Sequence, residues 1–287
     1  MRREDLHMFF GLKWNPFKKD LPVEGMVTTP KISKFCWKVE NLVLDGGFAL
    51  ITGGHGLGKS IALRILEDRL SNLREVQIGT LLRPQSGLSD FYREMGHHFG
   101  LDLNITNRWK SFKELRRKWQ HHLESTLFHP VLLVDEAQEM PPAVLSELRF
   151  LSAEKFDSKS IITVIFSGDE RLLDKFRCQD LQPLGSRIST RLVLEPSPRE
   201  DLIAMLKGCL DKAGAPSLMA SEVIDSLSDH AAGNPRIMMN MASELLMEAF
   251  KKEEKTIDEK IFFETFEQTS SFNQKKPNRK RRISNGQ

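Results

Sequence analysis

The sequence predicts an α/β protein, a three-layer phosphate-loop core on a parallel five-stranded sheet, followed by a small all-α lid domain. Three observations carry this. A phosphate-binding loop sits between a strand and a helix, a second apolar run ends in two carboxylates, and no strand pattern appears after Pro198.

The first strand is the apolar run over residues 48–52, and the first helix shows Ile61, Leu63, Ile65 and Leu66 at helical spacing. Between them stands Gly53-Gly54-His55-Gly56-Leu57-Gly58-Lys59-Ser60, a full Gly-x-x-x-x-Gly-Lys-Ser pattern in the strand-to-helix context that makes it a site. Its glycines let backbone N–H groups approach an oligophosphate without Cβ clashes, and the helix points its positive end at the same anion. The expected ligands are ATP and Mg²⁺, with Lys59 reaching the β- and γ-phosphates and Ser60 ligating the metal.

Val131-Leu132-Leu133-Val134 is a strand apolar enough to be buried on both faces, and it ends in Asp135-Glu136. Asp135 is expected to hold Mg²⁺ through its water shell and Glu136 to polarise the attacking water. A small-molecule kinase has no need of that second acid, so the pair favours hydrolysis. The plain alternative is two acids stabilised by the helix that begins near Pro141.

Between these motifs the pattern gives a strand over residues 75–82 and helices over 89–99 and 109–127. Phe112, Leu115, Trp119 and Leu123 form the buried stripe of the second helix. Its other face, with Lys110, Lys113, Arg116, Arg117 and Lys118, suits a nucleic-acid backbone or plain solvation equally. Pro141 and Pro142 then open a helix with Leu145, Leu148 and Leu151 on one face. The strand over 161–166 ends in Ser167-Gly168-Asp169, where Ser167 can touch the γ-phosphate or position water and Asp169 can cap the next helix. A fifth strand over 191–194 leads to Pro196 and Pro198, a hinge before helices over 199–213, 221–231, 235–251 and 258–266. Met238, Met239 and Met241 read as core filler. The expected divisions are an N-terminal segment over 1–45, the core over 46–196, a helical lid over 197–268 and a disordered basic tail over 269–287.

With 287 residues, 28% charged and 40% apolar, the chain has enough material for two domains. No apolar stretch is long enough to cross a membrane and no signal peptide opens the chain, so a cytoplasmic protein is expected. Cys36, Cys178 and Cys209 are too scattered for a disulfide framework or a zinc site, and the pairs His97-His98 and His121-His122 lack completing ligands. The net charge of +3 hides an asymmetry, because residues 275–282 hold six basic groups and no acid, leaving the rest net acidic. Such an arm pairs with nucleic-acid phosphates or simply keeps the chain soluble.

The order of phosphate loop, Asp135-Glu136-Ala137-Gln138, Ser167-Gly168-Asp169, Gly185-Ser186-Arg187-Ile188 and Gly233-Asn234-Pro235-Arg236 resembles the AAA+ ATPases. With Phe9-Phe10-Gly11-Leu12-Lys13-Trp14-Asn15-Pro16-Phe17, it is similar to their ExeA-like branch, which includes secretion-pathway A proteins and the ATPase partners of transposases and is related to the MuB and TnsC/TniB target-selection proteins. The resemblance covers roughly residues 8–268. It implies that Asn15, Pro16 and Phe17 lie beside the adenine, that Arg187 is an arginine finger acting across a subunit boundary, and that Arg236 is the lid's phosphate sensor. Arg191 competes for the finger role. Leu57 departs from the family pattern, which favours a smaller residue there.

The resemblance further implies a homo-oligomer, a ring or helical filament, and the lack of a long apolar stretch leads to the expectation of no membrane association. The transposition branch is the expected one, because the chain stops after the lid where secretion-pathway members would continue into a membrane span. In that reading ATP-bound subunits assemble on the phosphate backbone of double-stranded DNA, select a target and recruit a transposase, possibly with a target-selector protein, until hydrolysis disassembles them. The alternatives are an ExeA-like ATPase that remodels a protein partner, or an initiator or helicase-loader ATPase.

Overall fold

The computed structural model of the chain describes residues 3–103, 106–156 and 158–273. It divides into two units, each with its own apolar cluster. A core unit joins Pro22–Ser197 with Asn234–Arg236, and a helical unit joins the residues up to Leu21 with Pro198–Gly233 and the chain from Ile237 onward. The expected segment over residues 1–45 is therefore split. Its first part carries α1 (Arg3–Phe10) in the helical unit, and its second part is a core helix.

That helix, α2 (Pro30–Asp45), starts where the Thr29 hydroxyl accepts the Ile32 N–H at 3.3 Å, with Pro30 in the first turn where its missing N–H costs nothing. Ile32, Phe35, Cys36, Val39 and Val43 recur at helical spacing and are buried, and Gly46 at φ 73° ends the helix. There follow β1 (Gly47–Gly53), α3 (Lys59–Ser71), β2 (Val76–Leu81), α4 (Leu88–Phe99), α5 (Arg108–His121), β3 (His129–Val134) and α6 (Pro142–Ser152). The core closes with β4 (Ala153–Glu154), β5 (Lys159–Ser160), β6 (Thr163–Gly168), α7 (Glu170–Arg177), α8 (Gln182–Gly185) and β7 (Ile188–Leu194).

Five strands form one parallel sheet, as the sequence predicts, and their order is β2-β3-β6-β1-β7. Strand alternation sends Phe48, Leu50, Leu132, Val134, Val164 and Phe166 into one cluster, packed by Phe91, Phe99, Leu115, Trp119 and Leu148. The intervening Ala49, Ile51, Val131, Leu133 and Ile165 are equally buried on the opposite face, where α2 and α3 meet the sheet. Each large side chain buried this way contributes about 1.5–3 kcal/mol. Parallel strands also bring their C-terminal ends to one edge, so Thr52 pairs with Gly168 and Val134 with Phe166.

Three elements depart from the sequence expectation. α5 stops at His121 and continues as a single π turn over His122–Thr126, with Leu127 left-handed at φ 57°. β7 begins at Ile188 rather than 191, because this edge strand buries only every second residue and its exposed Ser189 and Arg191 mask the apolar period. The antiparallel hairpin β4–β5 was not foreseen. Its tip holds Lys155 at φ 48° and Phe156 at φ 56°, each costing about 1–2 kcal/mol for a residue with a side chain.

The helical unit contains α1 and α9 (Arg199–Lys212), α10 (Ser221–His230), most of α11 (Pro235–Lys251) and α12 (Glu259–Asn273). Leu202, Leu206, Leu210, Leu227, Met238 and Leu245 are its fully buried centre, with Leu6, Leu12 and Phe17 added from the N-terminal residues. Met238 fills the core, and Met239 and Met241 pack partly buried against it. α12 runs past the expected lid end at 268, and the basic run over 275–282 lies outside the described residues. Among the described residues no helix is long and apolar enough to cross a membrane.

Candidate nucleotide-binding site

At the C-terminal end of β1 the chain turns through Gly56 at φ 81° and Gly58 at φ 97°, conformations that a side chain disfavours. A Cβ on Gly58 would meet nothing within 4 Å, so that glycine is required by the backbone turn and not by crowding. Lys59 begins α3 and is buried, its Nζ donating to Gly53 O and Gly54 O at 3.0 Å each. The half-buried Leu57 lies over Gly54, and His55 is exposed at the loop's tip.

Ser60, in the first turn of α3, donates its hydroxyl to Asp135 Oδ2 at 2.8 Å. Asp135 follows β3, and its Oδ1 accepts from Ser167 Oγ at 2.7 Å and from the Glu136 N–H at 3.0 Å. The structure thus joins three sequence-predicted residues around one carboxylate, with Ser167 fully buried at the end of β6. An open glycine turn, an ammonium beneath it, and a hydroxyl beside a carboxylate form a donor set that fits a nucleoside triphosphate with Mg²⁺. Lys59 and the loop N–H groups would hold the phosphates, and Ser60 and Asp135 the metal.

Glu136 is exposed and left-handed at φ 50°, and its Oε2 accepts from Gln138 Nε2 at 2.5 Å. The buried Gln138 also accepts the Asp169 N–H at 3.3 Å, linking the acid after β3 to the tip of β6. Gly168 is fixed by this contact, because a Cβ there would lie 2.7 Å from Gln138 Oε1. Asp169 caps α7 by accepting the Arg171 N–H at 3.0 Å. Burial would raise its carboxyl, but the hydrogen bonds and charge of Arg171 outweigh that and hold it below the usual carboxylate range.

Asn234-Pro235-Arg236 belongs to the core unit and clasps the phosphate loop. Asn234 Nδ2 donates to His55 O at 3.0 Å and the Arg236 N–H to Gly56 O at 3.3 Å. A Cβ on Gly56 would lie 2.5 Å from Asn234 Oδ1, so this glycine makes room for the clasp. The Arg236 side chain itself is exposed.

The remaining predicted residues are not gathered here. The Arg187 guanidinium donates to Pro183 O, and Arg191 to Gly185 O at 3.2 Å, so both finger candidates are anchored on α8. Asn15, Pro16 and Phe17 fall in the helical unit, where Asn15 Oδ1 accepts the Phe17 N–H at 3.0 Å. The Phe17 ring, expected beside a flat base, is buried in that unit's own cluster. Sequence reasoning passed over Gln138 and Asn234, although both stand inside motifs it had singled out.

Comparison with known proteins agrees with this geometry. A family model described as an AAA domain matches residues 43–176. General secretion pathway protein A of Aeromonas hydrophila is 30% identical over 249 residues, covering 85% of this chain and 45% of that protein. The chain thus spans less than half the length of this curated relative. Among solved structures, the Aeropyrum pernix ORC2 protein in its ADPNP–ADP complexes shares the fold with a TM-score of 0.68 at 14% identity, covering 90% of this chain and 72% of that one. The Aeropyrum pernix ORC1 protein in complex with DNA gives 0.65 at 16% identity, covering 91% and 72%. The phosphate loop, the acids after β3 and the tip of β6 all fall within the stretch over residues 43–176 that matches the AAA-domain model.

Proposed function

We propose that the chain is an ATP-driven assembly ATPase that remodels a protein partner, as its relation to general secretion pathway protein A suggests. Sequence similarity over 85% of the chain supports the protein-partner reading. The observation that carries hydrolysis is Asp135 held between the Ser60 and Ser167 hydroxyls, with Glu136 one residue on.

When bound, Mg²⁺–ATP supplies the phosphoryl group and the charge that the site must neutralise. The loop N–H groups and Lys59 bind and orient the phosphates, Ser60 and Asp135 hold the metal, and Ser167 keeps Asp135 aimed. Glu136 takes a proton from an attacking water at its carboxylate, which the Gln138 amide steadies. Arg187 serves the site of a neighbouring subunit, with Arg191 as the competing candidate, so turnover needs a homo-oligomer. Arg236 reads the phosphates from within the same chain.

A second reading is the DNA-dependent transposition regulator, which assembles on duplex DNA and recruits a transposase. The motif order and the basic run over 275–282 favour it. Measuring ATP turnover with and without duplex DNA separates the two. The protein-partner reading expects Mg²⁺-dependent turnover that DNA leaves unchanged; DNA-stimulated turnover with filaments on the duplex would replace it with the second. Mixing Arg187→Ala with Lys59→Ala subunits should restore turnover, and failure at every ratio would remove the intersubunit finger.

A further inference from the structure

Helix α5 carries six lysines and arginines against one acid, Glu114, and part of this charge is arranged around exposed rings. Trp109, 65% exposed, stacks on Phe112 with centroids 5.5 Å apart and planes 10° from parallel. Lys113 Nζ lies 5.4 Å from the Trp109 centroid, and the Arg116 guanidinium 5.6 Å from that of Phe112. Arg116 also donates to Phe150 O at 3.0 Å and Leu151 O at 2.8 Å, which ties α5 to the end of α6. There the Arg149 guanidinium lies 4.0 Å from the ring of Phe150, which is 51% exposed.

The strip continues into the β4–β5 hairpin through Gln120, which donates to Glu154 at 2.9 Å. The hairpin's left-handed tip presents Lys155 and a fully exposed Phe156. A large ring displayed on strained backbone contributes nothing to the core, and such outliers cluster where a ligand is met. Among the described residues, the acids along the strip are already matched, Glu114 by Lys110, Glu147 by Arg108 and Glu154 by Lys159. Lys113, Arg117 and Arg149 have no ion-pair partner among the described residues.

The surface therefore asks for a polyanion that also offers flat apolar faces. An acidic polypeptide would satisfy the cations and leave the rings in water. A closed duplex has its base faces already stacked on one another and would likewise meet only the cations. Unpaired bases with phosphates between them satisfy both. We propose that the strip formed by α5, the end of α6 and the β4–β5 hairpin binds single-stranded nucleic acid, stacking bases on Trp109, Phe150 and Phe156 while Lys113 and Arg149 meet the phosphates. This goes beyond the ATPase reading and does not depend on it.

The test is fluorescence anisotropy on the full chain, without nucleotide, using labelled oligothymidylate, a duplex of equal length and polyglutamate. Oligothymidylate should bind tightest. Trp109→Ala and Phe156→Ser should each weaken it by about tenfold with the salt slope unchanged, and Arg149→Gln should lower the slope by about one. The basic run over 275–282 contains no aromatic residue, so binding through that run alone would leave the ring variants at full affinity. Trp109→Phe keeps a ring at α5 and should restore most of the affinity, and Phe156→Ser sits on an exposed tip, so both report binding rather than folding. Absence of binding, equal binding to the duplex or polyglutamate, or indifferent ring variants would overturn the proposal. Loss of ATP turnover in Lys59→Ala, with oligothymidylate binding intact, would leave it standing.

Discussion

The core unit and the helical unit bury different kinds of side chain. Of the buried polar groups described, all but Asn15 and Ser228 lie in the core, and Lys59, Gln138, Ser167 and Asp169 cluster at the C-terminal edge of its sheet. The helical unit is filled by Leu, Met, Val, Ile and Ala with little else. Polar groups removed from water cost stability unless each finds a partner, and a small error in their placement is felt at once. The core therefore concentrates the chemistry, and the helical unit is free to be a plain apolar bundle.

The sharpest way to break this contrast is a pair of variants. Glu136→Gln should lower turnover by a factor on the order of 10²–10⁴ while ATP affinity and thermal midpoint stay unchanged. Leu227→Ala, at the fully buried centre of the helical unit, should do the reverse, costing about 2–5 kcal/mol of stability with ATP affinity of the folded fraction intact. Denaturant melts beside nucleotide titrations read both, and a Glu136→Gln protein that melts early would dissolve the distinction.

Ser167→Ala asks whether a buried core hydroxyl serves the metal ligand. It removes one of two hydroxyls on Asp135, a hydrogen bond to a charged group worth about 1.5–3 kcal/mol. The Mg²⁺ requirement for turnover should rise about tenfold along with that loss of stability, and an unaltered requirement would return Ser167 to a packing role.

Asp169→Ala should cost about 1 kcal/mol through loss of the α7 cap. Because the folded carboxyl is held below its ordinary range, the contribution is fully present above the unfolded value and fades as pH falls through the folded one. The stability gap between wild type and variant should therefore narrow on acidification. A gap that widens would mean that Arg171 does not hold the carboxylate.

The smallest effect compares the two units directly. Burial pushes the thiols of Cys36, in the core, and Cys209, in the helical unit, up to about 11, whereas Cys178 is exposed. At neutral pH one thiol should react quickly with a disulfide reagent and two only on unfolding. In a urea series, the order in which Cys36 and Cys209 become reactive tells which unit opens first.

Much of the site was legible because its motifs are local. Gly53 to Ser60 and Asp135-Glu136 are read from spacing alone, since backbone approach to phosphate needs glycine and metal binding needs oxygen ligands at strand ends. The β4–β5 hairpin, the start of β7 and the helix α2 were not, for different reasons. The hairpin has no glycine at its turn, β7 hides its period behind exposed Ser189 and Arg191, and α2 lies in a stretch read as an N-terminal segment.

By itself, then, the sequence determined the α/β class, the parallel sheet and the nucleotide chemistry, because period and motif depend on neighbours a few residues apart. Tertiary structure decided what those residues do for one another. Ser167 meets Asp135 across 32 positions, and Asn234 clasps His55 across 179. It also decided that Phe17 is buried and that Phe156 is exposed. Both are single aromatic residues in polar surroundings, and only the packing of distant elements fixes which ring is covered.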